Sequence, residues 1–493
     1  MSETREHKDR IRVDKENKLQ RLREGGVEPY PWKFERSNTS AECLASQDEW
    51  IESEKEITLS GRLMSKRVMG KTSFGHVQDQ SGRIQFFFRK DAMDEEHYRR
   101  FAKLVEAGDH IGARGVLFLT RSGELSLRVR EWTLLSKSML PLPEKFHGLT
   151  DEETRSRQRY LDLAVNPEVR KRFETRSRIL HYLRDFFVRK SFLEVETPVL
   201  QALYGGATAR PFRTRHEALD MDFFLRIAGG ELFLKRLLVG GMERVFEIGK
   251  VFRNEGMDRS HNPEFTMLEA YSAYWDYQDM MGLVEELYSG LAMEFHGDMK
   301  IPFDGQVIDL SPPWPRISYH EAVRKYSGRD LETASREELS SAAEDLGIEV
   351  EDSWGAGKIL DAICAEKVEP QLIQPTFLTD HPREISPLAK QHRDNPDLVE
   401  RFEPFIAGFE VGNAFSELND PAEQRKRFED QMGLRAKGDE EAQILDDDYL
   451  RALEVGMPPA AGLGIGVDRL VMLMTDTRHI RDILLFPHMR PEA

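Results

Sequence analysis

Cysteine is scarce: Cys43 and Cys364 are the only two in 493 residues. So few, so far apart in the chain, exclude a disulfide framework and a cysteine-rich zinc cluster. Long apolar runs are missing too. None reaches the roughly 18 residues a membrane span needs, and Met1 to Lys18 is charged where a secretory leader would be apolar. A cytoplasmic protein without a membrane partner is expected. No glycine-rich P-loop and no GxGxxG follows a strand-like run, so the two common nucleotide signatures are absent. Repeats and low-complexity tracts are absent as well. The chain also lacks an overall basic charge: its formal net charge is −17, which argues against indiscriminate nucleic-acid binding. Basic residues gather only locally, at Arg10, Arg12, Lys15, Lys18, Arg21 and Arg23, and again at Arg62, Lys66, Arg67 and Lys71. The first group also reads as a solvated helix face.

The remaining composition, 40% apolar and 32% charged, is that of a globular protein long enough for two or three domains. Residues 8–24 are polar helix formers closed by Gly25-Gly26, and a connector with Pro29, Pro31 and Trp32 follows. Residues 1–55 therefore form a helical extension and connector. From Ile57 the texture changes to β-type runs at Ile57–Leu59, His76–Gln78, Arg83–Phe88, Ile111–Leu119 and Leu125–Leu135. Gly70, Ser81-Gly82 and Ser122-Gly123 punctuate them, and a helical stretch, Glu95–Glu106, follows the third. That layout over residues 56–140 predicts an OB-fold barrel, a frequent binder of single-stranded nucleic acid, with an SH3-like barrel as the alternative. Pro141, Pro143 and Gly148 mark a hinge over residues 141–160. Residues 161–493 form a larger α+β body without βαβ rhythm, opening with an amphipathic helix over 169–190.

Three stretches carry the chemistry. Val245–Gly249 reads as a strand leading into Phe252-Arg253-Asn254-Glu255, a charged loop, and a returning strand from Pro263. Arginine can hold a phosphate with two donors and Phe265 offers a face to a purine, although an isolated Arg-x-Glu is more often a structural ion pair. Gly462-Leu463-Gly464-Ile465-Gly466 precedes Val467-Asp468-Arg469 at a helix start, where a cation suits a polyphosphate and where close helix-on-strand packing is the plainer reading. Ser191–Thr197 ends in Pro198 and leads to a loop, Gly205–Phe212. Separately, Phe402–Ile406 and Phe409–Phe415 read as a hairpin turning at Ala407-Gly408, which brings Glu403 and Glu410 together. Strand alternation would set Glu410 on the face opposite Asn413 and Glu417, so a bulge between Glu410 and Asn413 is expected if all three meet.

Taken in order, Pro198, Arg253 to Phe265 and Gly462 to Arg469 resemble motifs 1, 2 and 3 of the class II aminoacyl-tRNA synthetases. Arg159–Leu163, His261–Thr266, Phe415–Asp420 and Leu484–Pro487 are similar to the lysyl-tRNA synthetase branch, and the resemblance covers residues 55–490 or so. It implies an antiparallel catalytic sheet flanked by helices. It also implies activation of L-lysine by ATP to lysyl-adenylate, then transfer to the 3′ end of tRNA(Lys), with AMP and pyrophosphate released. By resemblance, Arg253 and Arg469 are the catalytic arginines, and Arg253, Glu255, His261, Phe265, Glu403 and Arg469 bind ATP. Mg2+ falls to Glu403 and Glu410. Lysine falls to Gly206, Glu231, Glu255, Glu269, Tyr271, Asn413 and Glu417, and an anticodon base to Phe74 with Arg67 and Gln85. An acidic pocket with a tyrosine suits a substrate bearing two ammonium groups, whereas an aspartate pocket needs added cations. The branch is homodimeric through motif 1. This chain departs from the pattern at Ser191, where glycine is usual, and at Gly229-Gly230, which replaces a proline and adds one residue before Glu231.

Overall fold

The computed structural model describes residues 2–143, 149–207, 209–436 and 443–491, with side chains given from residue 10 onward. Gly148 of the expected hinge and Thr208 of the expected loop lie outside the described residues. The chain divides into two compact units, Met1–Thr150 and Asp151–Ala493.

In the first unit, helix α1 (Ser2–Glu24) stops before the glycine pair, where Gly26 takes φ +73°. Strands β1 (Glu56–Met69), β2 (Thr72–Gln78), β3 (Arg83–Arg89), β4 (His110–Leu119) and β5 (Leu125–Ser136) close a barrel in the order β1-β2-β3-β5-β4. The helix α2 (Glu95–Leu104) sits between the third and fourth strands. This is the OB layout expected. Period-2 burial fills the barrel with Leu59, Leu63, Val77, Phe86, Leu127 and Val129, and Phe101 of α2 closes it by stacking on Phe88. Burying each such side chain is worth roughly 1.5–3 kcal/mol. The basic cluster on β1 is only partly a surface: Lys66 turns inward and donates to the carbonyls of Phe101, Ala102 and Val105, capping α2. Arg67 and Lys71 stay exposed.

In the second unit, α3 (Pro167–Arg189) starts on proline and buries Ile179, Leu183, Phe186 and Phe187. It leads to β6 (Leu193–Glu194), then α4 (Glu231–Val239), the hairpin β7 (Arg244–Phe252) and β8 (Glu264–Ala273), and α5 (Tyr277–His296). The short β9 (Arg316–Ser318) is followed by β10 (Thr376–Thr379), β11 (Arg401–Ile406), β12 (Phe409–Glu410), β13 (Gly412–Ser416), β14 (Ala460–Gly466) and α6 (Val467–Met474). The sheet runs β9-β10-β11-β13-β14-β8-β7-β6, with β12 paired to β11. It is antiparallel through the middle, as expected, but β9–β10 and β6–β7 pair in parallel at the two edges. One face is covered by α3, α5 and α6 over a core that includes Phe246, Leu268, Ala270, Leu463 and Ile465. The other face carries the cavity.

Two backbone details answer the sequence reading. Ser191 adopts φ +64°, a left-handed conformation that explains why glycine is usual there. Between β11 and the strand opposite, the pairs Phe405↔Glu410 and Ile406↔Phe409 are out of register by one residue with Arg401↔Phe415 and Phe402↔Ala414. An extra residue therefore lies between Glu410 and Ala414, where alternation calls for a bulge.

Candidate active site

A cavity of about 570 Å³ opens on the free face of the sheet. Its floor follows from strand alternation: Phe265, Met267, Glu269 and Tyr271 of β8 point into it, while Leu268 and Ala270 point into the core. Across the ladder each of these meets a glycine: Tyr271 pairs with Gly462, Glu269 with Gly464 and Met267 with Gly466. The three alternating glycines thus clear the space that the β8 side chains fill. A Cβ on Gly462 would come within 2.2 Å of Glu417 Oε1 and 2.4 Å of Tyr271 Cε1.

All the residues expected to bind ATP, metal and lysine line this one cavity, except Glu417. One end is cationic. Arg253 continues from β7 and lies over the Phe265 ring at 5.2 Å, with its Nε donating to the Ile227 carbonyl at 3.3 Å. Its two terminal nitrogens make no hydrogen bond within the described residues, a free fork that suits an oxyanion. Arg469 stands in the first turn of α6 and donates to the Glu410 carbonyl at 2.6 Å and to Glu410 Oε2 at 3.3 Å. His261 lies 3.2 Å from an Arg469 nitrogen through Nε2 and 2.8 Å from Asp258 through Nδ1. Because arginine only donates, Nε2 accepts and the proton sits on Nδ1, facing Asp258. Glu255 is exposed at the rim, and Glu264, its neighbour in the motif, turns away to Lys250.

Glu403 and Glu410 approach across the β11–β12 turn. Glu403 is held by Arg401 at 2.6 Å and His381 at 3.3 Å, which outweigh burial and keep its carboxyl well below the usual range. Glu410 is pushed the other way by burial and by the Glu403 charge, which Arg469 and Arg253 only partly offset. Two partly buried carboxylates in mutual repulsion at the edge of the cavity fit a divalent cation, which commonly takes one or two carboxylates and completes its shell with phosphate oxygens and water. No cluster of three or more His, Cys, Asp or Glu side chains that could hold a metal ion occurs among the described residues. Asn413 accepts from Arg401 Nε at 3.1 Å.

The opposite end is acidic. Glu231 begins α4 directly after Gly230, which caps the helix at φ +112°. Gly229 N–H donates to Glu269 Oε1 at 2.5 Å, leaving Oε2 buried and unpartnered. Burial and the Glu231 charge push the Glu269 carboxyl up to about 8. Gly206, at φ +86°, packs its backbone against Ala228 and Glu231. Glu417 lies just behind Tyr271 and Gly462, fully buried. The residue that sequence reasoning missed is Lys235. Its Nζ sits 2.6 Å from Glu231 Oε1 and 2.5 Å from Glu417 Oε2, with no exposure to solvent.

On the barrel, Phe74 is half-buried on the outer face, its ring 4.9 Å from Phe87, which lies 5.4 Å from Phe118. Exposed Arg67 pairs opposite Phe74 across β1–β2. Gln85 is buried and its amide is already used, donating to Glu124 Oε2 at 2.8 Å and accepting from Ser126 Oγ at 2.9 Å. Glu124, also missed in the sequence, takes His76 Nε2 at 2.8 Å as well, so an aromatic row and an acidic-polar cluster share this face.

A cavity with an arginine end on a largely antiparallel sheet, in a chain that also carries an OB barrel, defines a class of protein. The family model for class II tRNA synthetases (D, K and N) matches residues 151–490, and that for an OB-fold nucleic acid binding domain matches residues 57–135. The chain belongs to the class II tRNA synthetases of the D, K and N type. Within that family it is 53% identical over 487 residues to a lysine–tRNA ligase of Pelotomaculum thermopropionicum, spanning 98% of this chain and 95% of that one. A lysine–tRNA ligase of Moorella thermoacetica is 53% identical over 476 residues, 96% of each chain. One from an Enterobacter species is 50% identical over 482 residues, 96% of this chain and 95% of the relative.

Proposed function

We propose that this chain is a lysine–tRNA ligase, activating L-lysine with ATP and transferring it to the 3′ end of tRNA(Lys). The observation that carries the choice of amino acid is the pairing of ends in one cavity: free arginine donors at one, buried carboxylates with unpartnered oxygens at the other. A substrate with one carboxylate and two ammonium groups matches that polarity. Aspartate would add a carboxylate to an end already rich in them.

In this reading Arg253 receives the α-phosphate and the amino acid carboxylate, Phe265 stacks on adenine, and Arg469 with His261 takes the terminal phosphate. Glu231 and Glu269 take the α-amino end; Tyr271, Asn413 and Glu417 take the side chain. The lysine carboxylate oxygen attacks the α-phosphorus in line and the bond to the bridging oxygen breaks, releasing pyrophosphate. The terminal ribose hydroxyl of the tRNA then attacks the adenylate carbonyl, loses its proton and displaces AMP. No side chain forms a covalent bond; the protein supplies position and charge. Glu403 and Glu410 would hold Mg2+, which when bound neutralises polyphosphate charge.

Residues 56–140 serve as the anticodon module, with Phe74 stacking on a base and Arg67 beside it, and 161–493 as the catalytic domain beyond a hinge at 141–160. Gln85 reads a base by exchanging its contact with Glu124. A homodimer through the motif 1 segment is favoured by the exposed apolar side chains Val188, Leu193, Leu200 and Leu203 around the β6 edge. No helix among the described residues is long and apolar enough to cross a membrane, and the place of work is the cytoplasm. Charging of tRNA with a lysine anticodon, read by acid gel, tests the assignment. Charging of an aspartate or asparagine tRNA in its place overturns it.

A further inference from the structure

Lys235 is a buried cation that the reaction does not use. It rests on no solvent, and its ammonium bridges Glu231, one turn earlier on α4, and Glu417, which follows β13. Tyr271 of β8 and Phe415 of β13 present their rings to it at 6.0 and 5.3 Å. Tyr449 on the helix Asp447–Gly456 also faces it, and Glu269 on β8 faces Glu417. Burial opposes its charge, but Glu231 and Glu417 outweigh that and hold it protonated.

The position matters because it is the position of a substrate. A lysine side chain coming from the protein already lies against the carboxylate expected to receive a lysine side chain from solution. Neither Glu417 oxygen completes a well-angled hydrogen bond, and Oε1, turned toward Gly462, has no ion-pair partner either. Glu269 Oε2 is unpartnered in the same way. With all three buried carboxylates ionised, as two bound ammonium groups would require, the one buried ammonium leaves two negative charges in the cluster, and unfilled sites remain on two different carboxylates. Lysine brings two ammonium groups.

We propose that Lys235 is a positioning and specificity residue of the lysine pocket. Its ammonium fills one cation position in the acidic cluster, pins the Glu417 carboxylate with Oε1 toward the cavity, and so fixes at two the number of cations the substrate must supply. This rests on the lysine reading of the site. A purely structural ion pair would hold α4 to the sheet without affecting how the pocket counts charge. The burial of all partners makes the pair costly to break from one side, because an uncompensated carboxylate would be left behind. In Lys235→Met that carboxylate is relieved by taking up a proton, which lysine must then displace.

The test is lysine-dependent pyrophosphate–ATP exchange by the full chain, with KM measured for lysine and for ATP at about pH 7 and about pH 9. For Lys235→Met, lysine KM rises roughly tenfold or more at the lower pH, at an ATP KM within about twofold of wild type. The deficit shrinks several-fold at the higher pH, where expelling the proton from the carboxyl that lost its cation costs less. Lys235→Arg, which keeps the charge, retains the wild-type pH dependence. An unchanged lysine KM, a deficit independent of pH, or equal losses for lysine and ATP would overturn the proposal. Should Lys235→Met fail to fold, Lys235→Gln, which also removes the charge, carries the test: a raised lysine KM at unchanged ATP KM supports the proposal, and an unchanged lysine KM overturns it. Wild-type exchange separates the two readings: a wild type that does not respond to lysine sinks the functional assignment, whereas a responsive wild type with an indifferent Lys235→Met sinks only this inference.

Discussion

The three glycines of β14 share one strand and one spacing, yet they make different demands, and replacing each by alanine separates them. At Gly462 an added Cβ would stand 2.2 Å from Glu417 Oε1 and 2.4 Å from Tyr271 Cε1, both on buried side chains with nowhere to move. At Gly464 the nearest atom is the flexible end of Met267 at 3.3 Å, and at Gly466 the nearest are Arg469 carbons at 3.9 Å. Forcing a methyl into a packed site costs about 1–3 kcal/mol. If the pocket yields by displacing Tyr271 and Glu417, that cost falls on lysine binding, and lysine KM rises by roughly 5- to 150-fold. If it does not yield, the cost falls on stability and lowers the melting temperature. Gly462→Ala should show one or both effects, and Gly464→Ala and Gly466→Ala should keep near-wild-type melting temperatures. Exchange kinetics together with thermal melts read both quantities. Equal melting losses across the three variants, or an unaffected Gly462→Ala, would refute the clearance argument.

The acidic end makes lysine binding depend on pH. Glu269 keeps its proton up to about 8 in the free protein, and an ammonium group requires the carboxylate, so binding expels the proton. Lysine KM therefore falls with rising pH, by up to about tenfold per unit below the carboxyl's folded pKa, and then levels off. A KM flat over that range would contradict the linkage. The raised pKa also means that the free protein loses stability as pH climbs from the ordinary carboxyl range through about 8, a loss that saturating lysine should suppress in a thermal melt. Phe74→Ala should raise tRNA KM by roughly 5- to 150-fold, as loss of one stacked base implies, with amino acid exchange unaffected; equal loss in both assays would mean a packing role instead. Ser191→Gly should raise the melting temperature modestly, because up to about 1–2 kcal/mol of left-handed strain is removed; a lower melting temperature would show that the serine is compensated elsewhere.

Much of the site was readable from local pattern. The β7–β8 hairpin announced itself because its apolar alternation is interrupted by one compact charged loop, and Arg253 and Phe265 flank that loop. The bulge after Glu410 could be anticipated because period-2 alternation left Asn413 on the wrong face. What escaped depended on distant contacts. Glu231 and Lys235 are four apart on a helix, which reads as an ordinary solvent-facing pair, and only the packing of α4 against β8 and β13 buries them. Lys66 looked like part of a basic surface until α2 presented its C-terminal carbonyls. Glu124 follows a Ser-Gly turn and carries no signal of its own, although it gathers Gln85 and His76. Each parallel pairing at the sheet edges rests on an edge strand of two or three residues, too short for periodicity to register.

The central claim is that one cavity joins an ATP-binding arginine end to a pocket for two ammonium groups. Pyrophosphate–ATP exchange with lysine, aspartate, asparagine and β-lysine side by side tests it most directly. Lysine should drive exchange well above the others, and robust exchange with aspartate or asparagine in preference to lysine would overturn the assignment of the pocket.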